Sequence, residues 1–182
     1  NGNSGIKRWT LASNTVTTLV ASGFSDPTGV AVDGAGNVYI ADCGFAVVKK
    51  WTAGNNKLST LVSGLSDSTG VAVDGAGNVY IADTGNNAIK KWTAAGNTVT
   101  TLVASGLDRP WGVAVDGAGN VYIADYGNSA IKKWTAASQT VTTLIASGLS
   151  YPCGVAVDGA GNVYIGDSIH NAIKELPRAF VD

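Results

Sequence analysis

The chain has 182 residues, with 12 basic and 13 acidic side chains for a net charge of −1. That balance leaves no basic footprint for nucleic acid, 45% hydrophobic content excludes a disordered chain, and no run approaches the ~18 consecutive apolar residues of a membrane span. Two Cys make no disulfide framework, and the lack of any Met implies a processed chain or a segment of a longer one.

The first ten residues read Asn-Gly-Asn-Ser-Gly-Ile-Lys-Arg-Trp-Thr, and Tyr126–Thr135 returns them as Tyr-Gly-Asn-Ser-Ala-Ile-Lys-Lys-Trp-Thr. The string Val-Ala-Val-Asp-Gly-Ala-Gly-Asn-Val-Tyr-Ile-Ala-Asp first appears at Val30–Asp42. It recurs unchanged at Val71–Asp83 and Val113–Asp125, and at Val155–Asp167 with Gly166 in place of Ala. The Gly before each string falls at 29, 70, 112 and 154. Such a period marks a repeat architecture.

Each unit predicts four short strands. Gly-Val-Ala-Val-Asp runs into Asp-Gly-Ala-Gly-Asn, whose residues tolerate the positive φ of a tight hairpin. Val-Tyr-Ile-Ala-Asp is the second strand. After a Gly-Asn turn, Ala-Ile-Lys-Lys-Trp-Thr is the third. After a looser Ala-Gly-Asn turn, Thr-Val-Thr-Thr-Leu-Val is the fourth. β-Branched and aromatic residues fill the strands and no window has helical periodicity. Four antiparallel strands per ~40–45 residues is the arithmetic of a propeller blade.

The string Gly-Val-Ala-Val-Asp-x-x-Gly-Asn-Val-Tyr-Ile-Ala-Asp, followed by Gly-Asn-x-x-Ile-Lys-Lys-Trp, resembles the NHL repeat, from Gly2 to about Lys174. The Trp-Asp dipeptide of WD-type propellers is absent. The resemblance implies an all-β propeller of four-stranded antiparallel blades, commonly six to the ring. The expected organisation is repeats over 1–176, with a partial blade at 1–24 and units starting near 27, 68, 110 and 152. Residues 177–182 are read as a tail leaving the propeller, because Pro177 cannot donate to a ladder. This is about four blades' worth of chain. Pairing the termini leaves a third strand in surplus, so the expected form is an arc of a larger ring, or a ring closed by another chain. Open blade faces invite association.

Positions constant among the units read as structural. Asp33, Asp74, Asp116 and Asp158 sit at the first hairpin. Asp42, Asp83, Asp125 and Asp167 end the second strand, and both sets are expected to cap turns. Trp9, Trp51, Trp92 and Trp134 are expected between blades. The Lys pairs beside them are expected to snorkel toward the rim. The fourth-to-first and second-to-third loops, which share one propeller face, carry the variation. Loops that diverge over a constant scaffold are where recognition usually resides. Asp108, Arg109, Trp111, Tyr126 and Tyr151 cluster there, and aromatics with Arg anchor binding surfaces. They form the expected ligand- or partner-binding site.

Some NHL-like propellers are lyases, which would imply several His at the channel mouth. This chain has one, His170. No three-His metal site can be assembled within it, and no Gly-x-Ser-x-Gly elbow is present. A set of His170, Cys43 and Cys153 is conceivable only if units one and four are neighbours. The expectation is therefore a non-catalytic binding or assembly module, with no cofactor, presenting its variable face to protein, peptide or glycan. The alternatives are a lyase or hydrolase completed by further blades, and a building block of a surface assembly, as a homo-oligomer. Low charge and abundant Ser, Thr, Asn and Gly suit a secreted or cell-surface protein.

Overall fold

The computed structural model describes residues 5–181. Residues 1–4, which begin the opening partial unit, and Asp182, which ends the tail, lie outside them. A two-stranded sheet, β1 (Ile6–Thr10) and β2 (Thr15–Val20), comes first. Three four-stranded sheets follow: β3 (Pro27–Val32), β4 (Val38–Asp42), β5 (Val47–Thr52) and β6 (Lys57–Val62); β7 (Ser68–Val73), β8 (Val79–Asp83), β9 (Ala88–Thr93) and β10 (Thr98–Val103); β11 (Pro110–Val115), β12 (Val121–Asp125), β13 (Ala130–Thr135) and β14 (Thr140–Ile145). A three-stranded sheet closes the chain: β15 (Pro152–Val157), β16 (Val163–Asp167) and β17 (Ala172–Leu176). Each sheet is an antiparallel meander in sequence order, which is the pattern of propeller blades.

The core lies between blades. Alternate residues of a strand point to opposite faces, and both faces here are apolar. Tyr80, Ala82 and Ile89 of one blade pack on Val113, Val121, Ile123 and Trp134 of the next, and the interface before it repeats the set. Trp51, Trp92 and Trp134 are buried between blades as expected, whereas Trp9, which no earlier blade covers among the described residues, is 54% exposed.

At the centre of the fan neighbouring first strands come so close that only glycine fits. A Cβ on Gly29 would collide with the Thr69 carbonyl oxygen, and one on Gly70 with the Trp111 carbonyl oxygen. A Cβ on Gly154 would meet nothing nearer than 3.9 Å, in its own sheet. The succession of close approaches thus stops at β15, and Val30 on β3 stays 59% exposed. The described residues form an open arc.

The constant hairpin is held from within. Asp33 Oδ1 accepts the amides of Ala35 and Asn37 at 3.0 and 2.9 Å. Its Oδ2 accepts the Asn37 side-chain amide at 2.8 Å and the Tyr39 hydroxyl at 3.0 Å. Asn37 Oδ1 in turn accepts the Ala53 amide at 3.0 Å, tying this hairpin to the next turn. Asp74, Asp116 and Asp158 repeat the arrangement.

The segment after β17 does not leave the propeller. Pro177 starts a short 3-10 turn, and Val181 is buried with Tyr122, Ala124 and Val163, where its carbonyl accepts Lys133 Nζ at 3.0 Å. The physical reason is a size change. Leu176 stands opposite Val163 where Trp134 stands opposite Val121, so the smaller side chain leaves room that Val181 fills.

Two predictions follow from this packing. Gly70→Ala is expected to destabilise by about 1–3 kcal/mol, as overpacking does, while Gly154→Ala stays near neutral. Chemical denaturation of both variants checks this, and equal losses would contradict the account of the centre. The second concerns pH. Burial opposes ionisation of Asp33 and Asp74, but the hydrogen bonds outweigh it and hold both below the ordinary carboxyl value of 3.8. A carboxyl whose pKa is depressed by folding stabilises above its unfolded value and loses that contribution as pH falls through the folded one. The stability difference between wild type and Asp74→Ala, about 1–2 kcal/mol at neutral pH, should therefore shrink below about pH 4. A gap constant with pH in thermal denaturation would contradict it.

Candidate functional site

The variable loops are anchored from below by the Asp that ends each second strand. These four side chains are essentially buried, and a buried carboxylate must be paired. Asp125 accepts the amide of Asp108 at 2.8 Å, the Asn128 side-chain amide at 2.8 Å and the Lys132 ammonium at 2.7 Å. Asp42 holds the amides of Ser25 and Asp26, Asp83 that of Ser66, and Asp167 that of Ser150. Each reaches a loop some sixteen or seventeen residues earlier in the chain. This corrects the expectation of local turn capping for this set.

The Lys pairs also depart from expectation. The first of each pair is turned in toward the buried Asp, as in Lys90–Asp83 and Lys132–Asp125, both at 2.7 Å. Lys49 and Lys132 donate further to the loop carbonyls of Gly23 and Gly106. The second Lys lies over a buried Tyr ring, Lys50 over Tyr39 and Lys91 over Tyr80, both at 5.1 Å. For the first Lys, pairing with the buried carboxylate outweighs hydration at the rim.

On this base the five sequence-predicted residues converge. Trp111 and Tyr126 have ring centroids 5.4 Å apart and Tyr126 and Tyr151 4.8 Å apart, tilted 35° and 37°. The Arg109 guanidinium lies 5.6 Å from the Tyr126 centroid, and its Nε is 3.4 Å from Asp108 Oδ1. Centroids at 4.5–7 Å with tilted planes are favourable aromatic geometry. Trp111 and Tyr151 remain 39% and 40% exposed. Two loops of the third unit and one of the fourth thus build one aromatic row on the variable face.

The backbone beneath it is strained. Arg109 and Tyr151 have φ of +46° and +54°, as does their counterpart Asp67 at +47°. A bulky residue in that region is a true outlier and persists only where surroundings hold it. The Arg109 amide donates to Asn87 Oδ1 at 2.7 Å, and the Tyr151 carbonyl accepts the Ser168 hydroxyl at 2.6 Å.

Trp111 occupies the position of Thr28 and Thr69, just before the first-strand Gly. Thr28 donates across blades to the Thr69 carbonyl at 3.0 Å, and Thr69 to the Trp111 carbonyl at 2.8 Å. Tyr126 likewise stands where Thr84 is buried and bonded. In the third unit two interblade ties have been replaced by two rings that face solvent.

Beside Trp111 lies a cavity of about 440 Å³ lined by Cys43, Asp67, Thr69, Thr84, Gly85, Asn87, Asp108, Arg109 and Trp111. Asp67 and Asn87 were not singled out by the sequence reading. Their signal was present in the variation of the loops that carry them, but it lacked the aromatic character that drew attention to the others.

His170 Nδ1 contacts Asp167 Oδ2 at 2.8 Å, taking the place that Asn86 and Asn128 fill in earlier units. Burial opposes ionisation of Asp167, but the Lys174 and His170 contacts outweigh it and hold its carboxyl far below the usual range. Among the described residues no Ser hydroxyl bonds to His170, no three His, Cys, Asp or Glu converge on a metal position, and no buried side-chain polar atom lacks a partner. Cys43 and Cys153 are free thiols, and burial, with Asp67 next, raises the Cys43 pKa. No helix of the described residues is long and apolar enough to cross a membrane.

The NHL repeat family model matches residues 24–44, 67–92 and 107–134. No curated protein sequence gives a significant match. Solved structures are similar. A chain of the Nidogen/Laminin complex superposes with a TM-score of 0.86 at 22% identity over 98% of this chain and 69% of that one. A streptogramin B lyase gives 0.71 at 16% identity over 87% of this chain and 56% of its own. A protein of unknown function from Bacteroides thetaiotaomicron VPI-5482 gives 0.77 at 20% identity over 96% and 54%. The chain thus spans just over half the length of the last two, and at these identities the likeness is one of fold. Three stretches of the chain match the NHL repeat and every sheet is laid down in the same blade order, so the chain is a β-propeller fold carrying NHL repeats.

Proposed function

We propose that this chain is a non-catalytic binding module whose contact surface is the variable loop face centred on Asp108, Arg109, Trp111, Tyr126 and Tyr151, with protein, peptide or glycan as the classes of partner. The observation that carries the reading is the convergence of these residues, from three separate loops, into one exposed ring row over a backbone held at positive φ. Large apolar side chains left in solvent lose the hydrophobic gain of burial. Strain under an exposed aromatic points the same way, toward a surface completed by a partner. On the opposite face the first-to-second hairpin is Asp-Gly-Ala-Gly-Asn in all four units. A related fold solved in the Nidogen/Laminin complex supports the use of such propellers in binding. A secreted or cell-surface setting fits the low charge.

Titration of isotope-labelled protein with a panel of short peptides and simple saccharides, followed by amide chemical shifts, tests this. Perturbations are expected at Ser66–Asp67, Asp108–Trp111, Tyr126 and Ser150–Tyr151. The double variant Trp111→Ala/Tyr126→Ala should lose them while keeping its melting temperature within a few degrees, because half-exposed side chains contribute about 1 kcal/mol or less. Perturbations confined to the Asp-Gly-Ala-Gly-Asn face would overturn the assignment, as would silence toward the whole panel.

A further inference from the structure

The cavity beside Trp111 has a more specific chemistry than the row itself. Resting on the binding-face reading above, we infer that it is a saccharide site, taking a neutral hexopyranose unit stacked on the Trp111 indole. Its hydroxyls would meet Asp67, Asn87 and Arg109.

The argument starts from what the loop backbone has left to offer. The amides of Ser66, Asp108 and Ser150 are bonded to the buried carboxylates beneath. The amides of Cys43, Gly85 and Gly127 are bonded to carbonyls of the neighbouring loops, and the Arg109 amide to Asn87. An extended peptide gains its affinity largely through main-chain hydrogen bonds. Of the residues lining this cavity, Cys43, Gly85, Asn87, Asp108 and Arg109 have their amides engaged, so recognition falls mainly to side chains. The side chains present include one exposed aromatic wall, two carboxylates, a carboxamide and a guanidinium. The carboxylates accept, the guanidinium donates and the carboxamide does both.

A pyranose ring is the matching object. It has an apolar face of C–H groups for an indole and a rim of hydroxyls that both donate and accept. A volume of about 440 Å³ lies within the range of small-ligand sites, which combine apolar walls with a few placed polar groups. Charge argues for a neutral sugar. Asp67 and Asp108 face a single Arg109 at the rim, which disfavours a uronic or phosphorylated unit. The floor is preorganised, with Thr69 and Thr84 hydroxyls 2.6 Å apart and bonded onward to the Trp111 and Pro110 carbonyls. Trp111 therefore enters the cavity on a backbone tied to the preceding blade.

The test uses methyl glycosides of glucose, galactose, mannose and N-acetylglucosamine, with their β-linked disaccharides, read by saturation-transfer NMR and calorimetry. At least one probe is expected to bind saturably, with Kd of about a millimolar for a monosaccharide. Binding should be lost in Trp111→Ala, retained in part in Trp111→Phe, and weakened at least tenfold in Asp67→Asn. Phe45→Ala, a ring on the same face outside the cavity, should leave it unchanged. The tryptophan variants are compared only after their melting curves match wild type, and Asp67→Asn, an exposed isosteric change, supplies a readout independent of the ring. No saturable binding by any probe would overturn the inference, and so would binding that survives both Trp111→Ala and Asp67→Asn. Peptide-induced shifts on this face without a saccharide response would overturn the saccharide class and leave the binding face standing. Silence toward both would remove both.

Discussion

Four buried carboxylates govern this molecule. Asp42, Asp83, Asp125 and Asp167 end their second strands with essentially no solvent exposure. A charge so placed is tolerable only if several donors converge on it. Asp83, Asp125 and Asp167 receive them from three directions: amides of the fourth-to-first loop, the Asn or His of the second-to-third turn, and the ammonium of the first third-strand Lys. Asp42, with Phe45 at that turn, relies on the loop amides and Lys49. The result is a clamp that fixes the backbone of both loops on the variable face while demanding nothing of their outward side chains. That separation is why those loops can differ among units over an unchanged scaffold, and why the differences gather on one face.

The third unit shows what such freedom permits. Where the first two units place Thr to tie first strands together, it places Trp111, and where the second unit buries Thr84 it places Tyr126. An interblade hydrogen bond contributes about 1 kcal/mol. Its loss is tolerated because the glycine approach and the buried Asp still position the loop. Tyr151 then completes the row from the fourth unit, in a left-handed conformation that a tyrosine does not adopt unaided. Here the left-handed conformation falls on bulky Arg109 and Tyr151, a departure from local preference of the kind that functional surfaces carry.

The strands, their order and the blade architecture were legible in the sequence because a period near 42 residues and alternation within strands leave few other folds. The clustering of three rings was legible too, since Trp111, Tyr126 and Tyr151 interrupt a repeat that is otherwise nearly constant. Three things were not. The reach of Asp125 to Asp108 crosses seventeen residues, and spacing alone does not distinguish it from a turn cap. The inward course of Lys132 depends on that same carboxylate, so reading one wrongly misplaced the other. The return of Val181 depends on the volume left by Leu176, a packing relation that no local pattern encodes.

Identical sequence with unequal burial identifies what holds the arc together. Val30 and Val71 occupy the same place in the same string, yet one is 59% exposed and the other 7%. Ile89 and Ile131 are fully buried, whereas Ile173, their counterpart, is mostly exposed. Propensity, turn chemistry and strand pairing are the same in each case. The difference is the presence or absence of a neighbouring blade. Stability in this molecule therefore resides at the interfaces between units rather than within them, as in other linear arrays of repeats. The proposed binding face inherits that property. Its rings belong to the third and fourth units, Arg109 is braced by Asn87 of the second, and the cavity spans residues from the first to the third. No single blade contains the site, and its geometry is set by the stacking of blades.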